Sequence, residues 1–137
     1  MRNINYIQPE ILSCINDSCC YIHDESESYE IWERQKGNKF WTETGYFRII
    51  NPGVHNHYSD PDYIQAVIQY PNGEIVHGDV ELHTMNSNWY THGNLSDPKY
   101  NHVILHVILH GESSPVYSHK PSAIPTIKMG YEKKSIL

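Results

Sequence analysis

No apolar run in this chain approaches the ~20 residues that a membrane-spanning helix needs. Residues 1–30 hold no secretory h-region, so export is not expected. Cysteine is scarce and local. Cys14, Cys19 and Cys20 fall within seven residues of one another, an odd set too close together for a disulfide framework. With His23 they spell C-x4-C-C-x2-H, which matches none of the usual paired zinc knuckles, so reduced thiols are expected. There is no G-x-S-x-G, P-loop or dinucleotide fingerprint, which removes the usual signals of serine hydrolases, nucleoside triphosphatases and Rossmann enzymes. Internal repeats, low-complexity tracts and dividing linkers are absent as well.

The most telling deficit is of positive charge. Residues 49–98 contain no Lys or Arg at all. The whole chain has 10 Lys+Arg against 16 Asp+Glu, a net charge of −6. Sequence-blind DNA coating needs cations against phosphate, so that class is disfavoured.

What remains is 137 residues, 39% hydrophobic, with 11 Tyr and three Trp, too aromatic for a solvating disordered chain. A domain of this size buries roughly 68% of its unfolded surface. The composition predicts one soluble cytoplasmic domain spanning residues 1–137. Its core is expected at 29–129, after an irregular or briefly helical 1–28 and before a tail at 130–137.

The coarse pattern is helix, strands, short helix, strands. A short helix is expected at residues 8–15, with Pro9 near its first turn. Ser26 or Ser28 caps a second helix running to about Lys36, where Gly37 and Asn38 stop it. A strand at 46–50 closes on Asn51-Pro52-Gly53, and a strand at 63–70 ends on the hairpin signal Pro71-Asn72-Gly73. Residues 74–84 return antiparallel to it. One helical turn is expected at 86–91, a strand at 101–110, and late edge strands at 115–120 and 125–129, flanked by prolines. This is an α+β domain with a mixed β-sheet and few short helices. Trp32 and Trp41 are expected core anchors, and Trp89 and Tyr90 read as core or rim packing.

Eight of the ten histidines lie between His55 and His110. Alternation along a strand places His77, Asp79, Glu81 and His83 on one face, with Val76, Gly78, Val80 and Leu82 opposite. On the later strand Val103, Leu105, Val107 and Leu109 share a face, and His102, His106 and His110 the other. A solvated polar face is the plain alternative, since antiparallel sheets commonly have one. Yet such a face usually mixes lysine with glutamate. Residues 49–98 instead gather six acids, Asp60, Asp62, Glu74, Asp79, Glu81 and Asp97, with no protein cation to screen them. Imidazole with carboxylate suits zinc, manganese, iron or nickel better than magnesium.

The residues also resemble a family. Asn51-Pro52-Gly53-x-x-Asn56, Pro61-Asp62-Tyr63-x-x-Ala66 and Gly78-Asp79-Val80-Glu81-Leu82-His83 resemble ordered blocks of an uncharacterised bacterial family, domain of unknown function 2851. Trp89-Tyr90-x-His92-Gly93, Asp97-Pro98-x-Tyr100-Asn101, Val103-Ile104-Leu105-His106-Val107 and Ile124-Pro125-Thr126 continue it in order. The similarity runs from about Tyr29 to Met129 and corresponds to the amino-terminal part of longer family members. It implies no particular activity.

A second resemblance bears on chemistry. Asp62 after a proline, then Glu81-x-His83 on the next strand, is similar to the P-D…(D/E)-x-K pattern of PD-(D/E)XK nucleases, whose core is αβββαβ. That resemblance implies Asp62 and Glu81 as divalent-metal ligands, with His83 where a lysine is expected. Asp60 replaces the glycine before Pro61 and offers a further ligand. A neutral imidazole can ligate or take a proton, but it supplies no fixed charge at pH 7.

The leading expectation is therefore a metal-dependent hydrolase, a nuclease-like phosphodiesterase. Asp62, Glu81 and His83 would bind the metal, and His83, His92 or His106 would serve as further ligand or general base. A divalent metal lowers the pKa of coordinated water toward ~7. Nucleic acid is one substrate class and an uncharged small molecule another. A module in which metal only braces the sheet is the third reading. Salt dependence separates the first two, because only a phosphate backbone gives a steep loss of affinity with salt.

Overall fold

The structure, a computed structural model, describes residues 25–57 and 59–129. The helix expected at 8–15, the three cysteines, His23 and the tail at 130–137 lie outside these residues.

Helix α1 (Glu25–Glu33) comes first. Ser28, Ile31 and Trp32 are buried along it, the spacing of a core-facing helical stripe, and Gln35 is buried just past its end. Ser26 and Ser28 lie inside this helix, not at its cap. It also stops before the expected Lys36. The Arg34 and Gln35 N–H groups turn back to the Ile31 and Trp32 carbonyls, tightening the last turn, and Gly37 takes φ 86°.

The main sheet runs β1 (Lys39–Thr42), β2 (Gly45–Asn51), β4 (Tyr63–Gln69), β5 (Ile75–His83), β6 (Val103–Ile108) and β9 (Thr126–Lys128), in that spatial order. Neighbours are antiparallel as far as β5, then parallel from β5 to β6 to β9. The fold is thus α+β with a mixed sheet and few short helices. The two end strands, β1 and β9, approach within 8 Å between Cα atoms, so the sheet is strongly curled, as accumulated strand twist favours.

Strand β1 had no counterpart in the sequence reading. Asn51-Pro52-Gly53 does not close β2 either. The chain kinks there and continues as β3 (Val54–His55) along the same neighbour, pairing Val54 with Ile64 and His55 with Tyr63. Asn51 Oδ1 accepts the Gly53 N–H at 2.9 Å, and Gly53 has φ 95°. A Cβ at Gly53 would lie 2.6 Å from the Ile64 carbonyl oxygen, so close strand approach as well as the turn requires glycine. The hairpin at Pro71-Asn72-Gly73 forms as expected, with Asn72 Oδ1 accepting the Glu74 N–H.

Residues 84–102 connect β5 to β6 through α2 (Asn88–Thr91) and a 3-10 turn (Pro98–Tyr100). The chain between β6 and β9 forms a separate two-stranded ribbon, β7 (Val116–Tyr117) with β8 (Ala123–Ile124). Of the two late strands expected, β9 joins the main sheet and β7 does not.

These connections explain why one end of the polar face is not solvated, while His77 and His102 at its other end are exposed. One core packs Ile31 and Trp32 with Phe40, Ile49, Ile68, Leu105 and Val107. A second core, Trp89, Tyr100, Val103, Val116 and Ile124, is built largely from the connecting segments. Glu81, His83 and His106 are buried along with these cores. The β5–β6 register also slips, pairing Asp79 with Val103 but Val80 with Leu105. Val103 therefore joins the second core, not the face of Leu105 and Val107. Trp41 is a further correction. It is 65% exposed on edge strand β1, against Tyr46, while Trp32 is fully buried with Nε1 donating to the Pro52 carbonyl. No helix among the described residues is long and apolar enough to cross a membrane.

Candidate metal centre

Antiparallel pairing of Tyr63 with Val80 sets the start of β4 beside the carboxyl-terminal half of β5. Asp62, one residue before β4, thereby meets Glu81. The Asp62 N–H donates to Glu81 Oε1 at 3.0 Å, and the Leu82 N–H donates to Asp62 Oδ2 at 2.8 Å. The second Asp62 oxygen accepts the Tyr29 hydroxyl at 3.1 Å, so α1 also orients it. The Asn56 N–H donates to the Asp62 carbonyl at 2.8 Å, which ties down the loop presenting this acid. Asp60 completes the group. Asp60, Asp62 and Glu81 each place a carboxylate oxygen within 4.8 Å of the other two.

The electrostatics of this group are strained. Burial, then the neighbouring Glu81, pushes the Asp62 carboxyl up to about 7, against the opposing pull of the Leu82 N–H and Tyr29. The Tyr100 hydroxyl is raised by burial and by Glu81, and it is hydrogen-bonded to Asp60. Three carboxylates gathered here form an oxygen donor set for a hard divalent ion. Asp62 keeps a lone pair on each oxygen after its two hydrogen bonds. The donor set fits a hard divalent cation, but it holds no imidazole, so the expected preference for zinc, manganese, iron or nickel over magnesium does not follow from these three acids.

His83 is attached to the acids through Glu81, with Nε2 3.2 Å from Glu81 Oε2. Its other ring nitrogen, Nδ1, lies 2.9 Å from His106 Nε2, and His106 Nδ1 lies 3.0 Å from Thr126 Oγ1. Trp89 covers this end, its ring centroid 5.1 Å from that of His106 and 6.2 Å from that of His83. Burial, then His83, pulls His106 down to about 3, so it stays neutral at physiological pH. His92 packs its ring 4.8 Å from His83 and is exposed, on the solvent side of the buried pair.

Asp62, Glu81, His83, His92 and His106 are thus brought together, and Asp60 joins them. The run of eight histidines is otherwise divided. His55 and His57 meet edge to face, with His55 also against Tyr29 and Tyr63. His77 and His102 line a groove of about 650 Å³ at the other end of β5 and β6, together with Asp79, Asn101 and Lys120. Asp79 there is hydrogen-bonded to the Gln65 backbone, where β4 bulges at φ 61°. His110 lies just beyond β6, its N–H bonded to the Thr84 carbonyl.

Tyr29, Tyr100 and Thr126 are the contributors that the sequence reading did not single out. Tyr100 and Thr126 stood inside the quoted blocks Asp97-Pro98-x-Tyr100-Asn101 and Ile124-Pro125-Thr126, which was the available signal. Tyr29 had none, because its hydroxyl reaches Asp62 from 33 residues away.

Comparison with curated proteins gave no match, and neither did comparison with solved structures. A family model does match, over residues 25–136, which takes in every residue of this centre. The chain therefore belongs to the family described as Protein of unknown function (DUF2851).

Proposed function

We propose that this domain is a divalent-metal-dependent hydrolase of nuclease-like type, with Asp60, Asp62 and Glu81 holding the cation. The observation that carries this reading is the convergence of the three carboxylates at the β4–β5 junction. The order α1, β2, β4, β5, α2, β6, with three antiparallel strands and then a parallel one, supports it. That is the sequence of elements in the αβββαβ core of PD-(D/E)XK nucleases. Three carboxylates alone suit Mg2+, and a ligating His83 adds a preference for Mn2+ or Zn2+.

The cation would supply Lewis acidity at the bond under attack. The remaining work falls to the chain. Tyr29 and the Leu82 N–H hold Asp62 in its orientation. His83, at the position of the nuclease lysine, accepts a proton but adds no fixed charge. His92 lies between His83 and solvent, as a group handing protons outward must. A cytoplasmic setting belongs to this proposal, and in it Cys14, Cys19 and Cys20 would be reduced thiols.

A second reading, hydrolysis of an uncharged small molecule at the same centre, is favoured by one specific observation. No Lys or Arg occurs in residues 49–98, which supply the acids. The deciding experiment compares a phosphodiester with a neutral ester as substrate, with Mn2+ present and salt varied. Phosphodiester turnover that falls steeply with salt supports the nuclease-like reading. Turnover of the neutral ester alone supports the second. No metal-dependent turnover of either substrate contradicts both.

A further inference from the structure

Positive charge is scarce in this chain and unevenly placed. Residues 34–48 hold Arg34, Lys36, Lys39 and Arg48 against one acid, Glu43, whereas residues 49–98 hold no Lys or Arg. The hairpin of β1 and β2 gathers part of that charge on one face. Phe40 and Phe47 pair on its inner face and are buried. Alternation therefore turns Lys39 and Trp41 of β1, and Tyr46 and Arg48 of β2, to the outer face. Register sets Lys39 opposite Arg48 and Trp41 opposite Tyr46. The first pair continues as a row across the sheet, through Gln69 to the exposed Ile75. No acid stands in either row.

The contacts on this face are those of a stacking site. Lys39 Nζ lies 4.5 Å and Arg48 Cζ 5.8 Å from the centre of the Tyr46 ring. The Trp41 ring stands 5.1 Å from that ring, tilted by 59°, and most of the residue is open to water. Arg48 donates one N–H to the Gly37 carbonyl at 3.1 Å, and a guanidinium has further donors. The centre of a protein–protein interface is depleted of charge, whereas here the aromatic pair adjoins two cations. Duplex bases stack on one another and present no face to an indole. A single strand brings both free base faces and regularly spaced phosphates. The net charge of −6 disfavours coating of long duplex, but a stacked contact over about two or three bases needs few cations.

We propose that the outer face of β1 and β2 docks single-stranded nucleic acid, with a base stacked on Trp41 beside Tyr46 and phosphates held by Lys39 and Arg48. This surface is apart from the metal centre. Arg48 pairs with Gln69, at the far end of β4 from Asp62, so the docking site stands or falls independently of the metal reading. It offers a strand the cations that residues 49–98 lack.

The test is titration of the full chain with a short oligothymidylate, in chelator so that no metal chemistry takes part. Trp32 and Trp89 are fully buried, so Trp41 is the indole that a base can quench. Oligothymidylate should quench its fluorescence saturably, and an abasic strand of the same length should bind about 10-fold more weakly. Trp41→Ala should weaken binding of a dye-labelled strand about 10-fold, read by anisotropy. Arg48→Gln should make the slope of log affinity against log salt shallower by about 0.7. Oligouridylate in place of oligothymidylate tells RNA from DNA, and binding of either supports the site. Binding of neither overturns it. So would an abasic strand or a duplex bound as tightly as the single strand, or Trp41→Ala binding the strand as tightly as the native chain. Self-association that shields Trp41 without any strand would assign the face to a second copy and overturn the proposal as well. The native titrations decide the matter even if a variant folds poorly.

Discussion

The two ends of the buried seam solve the same problem in opposite ways. At the carboxylate end, Asp60, Asp62 and Glu81 crowd together, and burial beside Glu81 raises Asp62 to about 7. At the imidazole end, His83, His106 and Thr126 form a hydrogen-bonded row under Trp89, and burial lowers His106 to about 3. Burial drives both shifts, since it penalises whichever form is charged. The outcome differs because His83 Nδ1, His106 and Thr126 hydrogen-bond one another, whereas a group of carboxylates needs a cation or a proton. The imidazole end is hydrogen-bonded within the fold, and the carboxylate end is where, on the proposed reading, a cation would relieve the repulsion.

That contrast makes four predictions, from the largest effect to the smallest. Trp89→Ala removes the cover of the imidazole end and should cost about 3–5 kcal/mol of stability by chemical denaturation. Loss below 1 kcal/mol would mean the row does not depend on a dry cover. Glu81→Gln keeps an oxygen for the Asp62 N–H but removes a charge. It should weaken Mn2+ binding more than about 100-fold, near 3 kcal/mol, in a calorimetric titration. The same variant should be as stable as the native chain or more so once both are stripped by chelator, because like-charge repulsion is relieved.

The third prediction concerns pH in the chelated protein. Asp62 has a folded pKa above its unfolded value of ~3.9, so its contribution is present at low pH and lost as pH rises toward 7. His106 has a folded pKa below its unfolded value of ~6.5, so its contribution is present above that pH and lost as pH falls toward 3. Between about pH 4 and 6.5 the two slopes oppose. Melting temperatures of Asp62→Ala should therefore rise with pH across that window, and those of His106→Gln should fall. Parallel profiles would break the comparison. Last, Tyr29→Phe removes one donor to Asp62 and should weaken Mn2+ binding by about 5-fold with little loss of stability.

How legible all this was depended on how local each determinant is. The β4–β5 hairpin followed from Pro71-Asn72-Gly73, whose turn chemistry lies within those residues. Asp62, Glu81 and His83 were legible because a proline–acid pair and an alternating acid–histidine strand carry their spacing in the chain. The fate of the polar face was not. Whether it is solvated depends on Trp89, Tyr100, Val116 and Ile124, which fold over from connecting segments. Strand β1 is only four residues long and gains its strand character by pairing with β2. The kink after Asn51 looked like a strand end because Asn-Pro-Gly has the same local chemistry in a turn and in a bend that resumes the same pairing. The slip between Asp79–Val103 and Val80–Leu105 belongs to the pairing of two strands, so neither strand alone announces it.

The most direct test of the account is Mn2+ titration of the chelator-stripped full chain alongside Glu81→Gln. Saturable binding of the cation by the native chain, and loss of that binding in the variant with both proteins folded, is the expected result. A native chain that binds no Mn2+, or a variant that binds it equally well, would contradict the claim that the carboxylates are held together for a metal.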